Sequence, residues 1–321
     1  EVQGDNGRVR GFDMVCVSDL PAGAGVSSSA AFEMLVGVVL RALEGEGAHT
    51  TSGVADDAAP AELVLTDDER LRLALDGQAA EQRFFGKSCG AQDQIASAFG
   101  GAVFMDFSPA PPAPPAVERI SFNPQALPYR LVLIDSRVDH SRYTADYESV
   151  AADMARVARF FHRDRLIDLS LARFRRDEFD VEYTLGTRAW ARALHFFEET
   201  DRVAKQRRAL EAGDWLTFAR LARESGDSNL SLLCNVTPES APTDDEEAAR
   251  PALIFALCGT LLGVRSARRM HGGGFGGSIL ALVPERKADW FMRRMDRELG
   301  YAACRAVEVD DADGCVTNRN A

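Results

Sequence analysis

The feature that most constrains this chain is PAGAGVSSS at 21–29, set between FDMVCVSDL at 12–20 and a run with Leu35, Val36, Val39, Leu40 and Leu43 at helical spacing. The apolar residues of 12–20, Val15 and Val17 among them, predict a strand. The expected order is therefore strand, Gly/Ser loop, helix. Gly23 and Gly25 let the backbone come close to a ligand, and the first N–H groups of a helix point outward without partners. With the positive end of the helix dipole, that makes an anion site suited to phosphate. An ordinary turn with a Ser N-cap accounts for the same residues without a ligand. The stretch is not a Walker A loop, because the closing Gly-Lys-Ser/Thr is absent.

The rest of the chain narrows the partners. Its 321 residues suffice for two domains, and a net charge of -12 argues against an extended nucleic-acid surface. The longest apolar runs fall short of a membrane span, and no charged-then-apolar leader is read. Cys16, Cys89, Cys234, Cys258, Cys304 and Cys315 form no CxxC pair, so they are read as reduced thiols of a cytoplasmic protein. Five scattered histidines disfavour a His/Cys metal site and leave Mg²⁺ carried with a nucleotide open.

Three stretches read as loops: 44–60, the proline-rich 108–116, and the acidic 235–251, which is expected to be mobile. Between them, Thr66 and Glu69 have capping-box spacing at the start of a helix that runs past Glu81. Residues 131–135 and 278–283 read as strands. Residues 145–163 carry Val150, Met154, Val157 and Phe161 on one helical stripe. Residues 187–211 read as a helix burying Trp190, Leu194 and Phe197, and a further helix passes through Trp290 and Met295. The chain is thus α+β, with the proline run as the expected domain seam.

Two more stretches have the residue types chemistry needs. In CGAQDQIAS at 89–97, Asp93 falls where a helix begins. There it either complements the dipole or orients a substrate hydroxyl. Glu81 is either a solvated helix-face charge or a Mg²⁺ ligand, since that ion prefers oxygen donors. In RRMHGGGFGGSILALV at 268–283, five glycines occupy six positions before a strand. Gly272, Gly273, Gly274, Gly276 and Gly277 suit a tight structural loop or close approach to a ligand.

Taken together, PAGAGVSSSAA resembles the phosphate-loop motif of the GHMP kinases, small-molecule kinases named for galactose, homoserine, mevalonate and phosphomevalonate. CGAQDQIAS resembles the segment around the catalytic aspartate of the galactokinase family. The glycine stretch resembles the family's C-terminal motif, and IDSRVDHSRYTADYESV at 134–150 resembles the stretch that supplies a sugar-contacting tyrosine. The resemblance implies a two-domain fold: an N-terminal domain like the second domain of ribosomal protein S5 over 1–125, and a ferredoxin-like domain over 126–321.

The implied activity is ATP-dependent phosphorylation of galactose at its anomeric hydroxyl, with ATP and Mg²⁺ bound by a cytoplasmic monomer that contacts neither nucleic acid nor membrane. By the resemblance, Gly23, Gly25, Ser27, Ser28 and Ser29 cradle the ATP phosphates, and Ser28 and Glu81 hold Mg²⁺. Asp93 is catalytic and faces the sugar hydroxyl, Gly90 and Tyr147 contact the sugar, and Gly272 to Gly277 brace the site. Nothing before Asp19 resembles the family's N-terminal signature segment, so an incomplete N-terminal domain is expected. The family's Glu-Ser-His is here Glu224-Ser225-Gly226, and its usual Thr before the glycines is His271. Other readings of the same motifs are a kinase for a related sugar or uronic acid, a non-catalytic galactose- and ATP-binding sensor, and a degenerate chain.

Overall fold

The computed structural model describes residues 12–18, 20, 26–44, 65–86, 89–121 and 123–309. Helix α1 (Ser28–Glu44) turns Ala30, Met34 and Val38 inward at four-residue spacing. Helix α2 (Asp67–Phe84) opens at the expected capping box: Glu69 N–H donates to Thr66 Oγ1, and Thr66 N–H donates to Glu69 Oε2 at 2.7 Å. Helix α3 (Gln92–Phe99) buries Ile95, Ala98 and Phe99 against both. Strands β1 (Val103–Asp106) and β2 (Ala116–Arg119) then pair as an antiparallel hairpin.

Two expectations need correction here. The proline-rich stretch is the loop of that hairpin and not a seam, because the strands at its two ends pair with each other. Arg165 fastens the loop by donating to the carbonyls of Phe107, Ser108 and Pro109, and Arg207 pairs with Glu118 beside it. Residues 12–18 form no strand: among the described residues nothing pairs with them, and Val15 and Val17 are each 92% exposed. Apolar, β-branched residues do not make a ladder without a second backbone.

The second half is built around one sheet. Strand β3 (Tyr129–Asp135) leads into α4 (Thr144–Phe160), α5 (Leu171–Arg176), α6 (Glu178–Leu185), α7 (Thr187–Glu211), α8 (Trp215–Ser228) and α9 (Arg250–Leu261). Strands β4 (Ala267–Met270) and β5 (Ser278–Pro284), helix α10 (Ala288–Leu299) and strand β6 (Cys304–Val307) follow. The order is β4-β5-β3-β6 with every pair antiparallel, as the ferredoxin-like expectation requires. Strand side chains alternate: Val132, Ile134, Ile279 and Val283 pack with Ile254, Phe255, Phe291 and Met295 of α9 and α10. Tyr129 and Leu282 face Ala219 and Ala222 of α8 on the other side.

Helices α4 to α7 share a separate core with Val157, Phe174 and Phe197. Phe161, placed on the helix by its spacing, is the residue that ends α4. The acidic 235–251 stretch is tied down instead of mobile. Val236 and Ala248 are buried, Glu239 pairs with Arg188, and Asp245 pairs with Arg142 while accepting from the N–H groups of Glu247 and Ala248. Cys16, Cys89, Cys234, Cys258 and Cys304 form no disulfide, and Cys315 lies outside the described residues. Among the described residues no helix is long and apolar enough to cross a membrane.

Candidate functional site

Gly23 and Gly25 lie outside the described residues. From Ser27 onward the backbone is clear. Ser27 has a φ of 55°, a left-handed value for a residue with a side chain, and its carbonyl accepts from Ala31 N–H at 3.1 Å. Ser27 and Ser28 are half-buried and Ser29 is exposed. The first turn of α1 carries no acidic residue, so no side chain there neutralises the positive end of the dipole.

The segment before α3 is pinned to α2. Gln78 and Gln82 both donate to the Cys89 carbonyl, at 3.0 and 2.8 Å, which fixes the approach through exposed Gly90 to the helix. Asp93 then stands exposed in the first turn of α3, whose N-cap, Ala91, supplies no side-chain hydrogen bond. Glu81 is only 6% exposed, which rules out a solvated helix-face charge. Its carboxylate accepts from Gln94 Nε2 at 3.0 Å, and the same nitrogen donates to Glu33 on α1 at 3.1 Å. Neither Gln94 nor Glu33 stood out in the sequence. Their adjacency to Asp93 and to the serines was the available signal.

The glycine motif is a packed wall. Gly272, Gly274, Gly276 and Gly277 all have positive φ, as does buried Phe275. Phe275 N–H donates to Asn235 O at 2.7 Å, Gly277 N–H donates to Val138 O at 2.8 Å, and Asn235 Nδ2 donates to Gly273 O at 3.0 Å. A Cβ at Gly276 would fall 2.7 Å from Val138 O, so the bare backbone is needed to admit the segment after β3. Tyr147 lies against Gly273, where a Cβ would fall 2.7 Å from its Cδ2. Helix α4 holds that tyrosine in place: Asp146 accepts from Ser240 N–H, and Asp153 lies between Arg188 at 2.7 Å and Arg192 at 2.8 Å.

His271 links the two halves. Burial, helped by the nearby Arg269, pushes its pKa below the usual histidine range, while the Asp93 carboxylate pulls the other way. Tyr147 and Gly273 are in contact, and His271, two residues before Gly273, lies within electrostatic range of Asp93. Glu81 stands behind Asp93 through Gln94, and Glu33 ties α1 to both. An exposed carboxylate can orient or accept a proton, and a buried carboxylate is a hard oxygen donor. A cavity of about 630 Å³ lies at the far end of β3 and β5, lined by Tyr129, Leu216, Arg265 and Lys287 among others. None of the predicted site residues lines it.

Known proteins similar to this chain share one theme. The model of the GHMP kinases N terminal domain matches residues 2–101. The galactokinase of Actinobacillus pleuropneumoniae is 31% identical over 293 residues, covering 88% of this chain and 64% of the relative. That of Glaesserella parasuis serovar 5 is 31% identical over 291 residues, with 88% and 64% covered. The chain therefore spans just under two thirds of the length of these curated relatives. In fold it is similar to the Lactococcus lactis galactokinase solved with galactose, with a TM-score of 0.61 and 22% identity over 91% of this chain and 67% of the other.

Proposed function

We propose that the chain is a member of the galactokinase family of the GHMP kinases and that it transfers the γ-phosphoryl group of ATP to the anomeric hydroxyl of galactose, a reading supported by its 31% identity to a curated galactokinase. The observation that supports this reading is Tyr147 packed against Gly273 of the glycine wall, with His271 at the start of that wall within electrostatic range of Asp93. The reading divides the chain into domains at 1–125 and 126–321. It makes the protein a cytoplasmic monomer whose partners are sugar and ATP.

Phosphoryl transfer needs positioning and charge neutralisation more than covalent chemistry from the protein. Gly23, Gly25, Ser27, Ser28 and Ser29 cradle the triphosphate with backbone N–H groups at the start of α1. The donors present fit Mg²⁺: Glu81 offers a buried carboxylate and Ser28 a hydroxyl, and the bound ion would neutralise charge on the triphosphate. Gly90 and Tyr147 seat the sugar, and Gly272 to Gly277 hold Tyr147 and the pocket wall in place. Asp93 points the acceptor hydroxyl at the γ-phosphorus. The sugar oxygen bonds to phosphorus, the bond to the β-phosphate oxygen breaks, and the hydroxyl proton passes to the Asp93 carboxylate.

The test is galactose-dependent ADP release from MgATP by this chain and by Asp93→Asn. The wild-type chain is expected to release ADP only with galactose, and the variant to lose release while keeping its affinity for ATP. Turnover retained in Asp93→Asn removes that residue from the reaction. No galactose-dependent release from wild type refutes the kinase.

A further inference from the structure

We infer that Gln94 is a positioning residue for divalent-cation binding: its amide bridges Glu33 and Glu81 and so holds the Glu81 carboxylate in place for the ion. The inference rests on the kinase reading above and deepens it, since no motif assigns a role to Gln94 or Glu33. Three helices meet at this point, with Glu33 on α1, Glu81 on α2 and Gln94 on α3. An amide nitrogen has two hydrogens, and here one goes to each carboxylate, at 3.1 Å to Glu33 and 3.0 Å to Glu81.

That arrangement fixes which way the amide faces. Turned over, Oε1 would confront two carboxylate oxygens that repel it, so the hydrogen-bond network permits one orientation. In that orientation Oε1 is buried without a protein partner, on a residue that is 1% exposed. An unmet buried carbonyl costs about 1–3 kcal/mol, and native structures keep such groups mostly where water or an ion completes them. A hydrated Mg²⁺ does this naturally, because it retains waters whose protons need acceptors. Carboxylate and amide oxygens are both hard donors of the kind a divalent cation or its waters take.

Position gives the bridge its consequence. Gln94 follows Asp93 directly in the first turn of α3, so the residue that holds Glu81 is rigidly joined to the one that faces the sugar hydroxyl. Glu33 lies five residues after Ser28 on α1, so the same amide also ties in the helix that begins at the phosphates. Simple helix packing would account for the bridge without any cation. The two roles differ in what they move: packing alters stability, whereas positioning alters metal affinity at constant sugar affinity.

The experiment is Mn²⁺ binding to the 321-residue chain with a non-hydrolysable ATP analogue, followed by electron paramagnetic resonance, alongside calorimetric titrations of galactose and of the metal-free analogue. Gln94→Met keeps the length of the side chain and removes both donors. It is expected to weaken Mn²⁺ binding about 10- to 100-fold, the usual effect of losing a partner that orients a metal ligand. Galactose and metal-free nucleotide should bind as before. Glu33→Gln, which keeps its shape and loses one charged arm of the bridge, should show a smaller loss in the same direction. Unchanged Mn²⁺ affinity in a folded Gln94→Met overturns the inference. If that variant does not fold, unchanged affinity in Glu33→Gln overturns it. A wild-type chain that binds neither Mn²⁺ nor the analogue overturns the kinase reading itself, and the inference with it.

Discussion

Replacing Gly273 by alanine tests whether Tyr147 contacts the substrate. The added Cβ would fall 2.7 Å from Tyr147 Cδ2 and nearer still to Cε2. Ordinary carbon contacts lie at 3.5–4 Å, so the ring must retreat by about 1 Å. It has room to do so, because Tyr147 is 44% exposed and Gly273 does not occupy the left-handed region. The stability cost should therefore stay near 1 kcal/mol or below. A displacement of about 1 Å in a positioning group can cost on the order of 10²-fold in rate, or about 2.7 kcal/mol of transition-state stabilisation.

The expected result in the ADP-release assay is a fall of that order in kcat/KM for galactose, with KM for ATP unchanged. A double-mutant cycle isolates the cause. With Tyr147→Ala already in place, the alanine at 273 meets no ring and should add nothing. Full activity in Gly273→Ala, or an equal loss on the Tyr147→Ala background, would refute the claim that the glycine serves the tyrosine and the tyrosine serves the sugar.

Two further outcomes follow from the packing beneath the site. Gly226→Ala should destabilise the chain by about 3 kcal/mol, because its Cβ would fall 2.9 Å from the Arg268 carbonyl carbon and closer to the oxygen, backbone that cannot swing aside. Thermal unfolding would read this as a fall of several degrees in Tm, and an unchanged Tm would contradict it. Buried His195, with Glu199, Arg202 and Arg269 around it and Nδ1 at 2.8 Å from Ser228 Oγ, is pushed down to about 4, chiefly by burial. The unfolded chain protonates this group near 6.5 and the folded chain does not, so stability should fall as pH drops from about 6.5 towards 4. His195→Gln should flatten that part of the Tm–pH profile. A profile of unchanged slope would mean that other groups set it.

What the sequence revealed and what it hid divide along one physical line. The capping box at Thr66, the helix Thr187–Glu211 and the strand Ser278–Pro284 follow from local spacing, and each formed where the pattern put it. The positive backbone angles of the glycine stretch before β5 were likewise legible, because a glycine run there permits a conformation that other residues rarely adopt. Features that depend on distant partners were not. Residues 12–18 have apolar, β-branched residues and no ladder among the described residues, and 235–251 was expected to be a mobile loop although Glu239 and Asp245 pair with Arg188 and Arg142. The burial of Glu81, and with it the bridge from Gln94 to Glu33, exists only because three helices converge. No spacing within a single segment encodes that meeting.

The departures from the family pattern also belong together in space. Gly226 ends the Glu-Ser-Gly that departs from the resembled Glu-Ser-His motif, and it lets α8 seat directly on the backbone of β4 at Arg268. Any side chain at 226 would hold that helix further from the sheet. The chain leaving β4 reaches His271, the second departure, where the imidazole comes within electrostatic reach of Asp93. Arg269, between the two, acts on both His271 and the buried His195 of α7. A chain losing function would accumulate unrelated changes and leave cavities or unpaired charges at them. Here the absent side chain is matched by a closer seat of helix on strand, and the new one lies within electrostatic range of the proposed acceptor-orienting carboxylate. That pairing is what compensated change looks like, and it weighs against reading this chain as a degenerate relative.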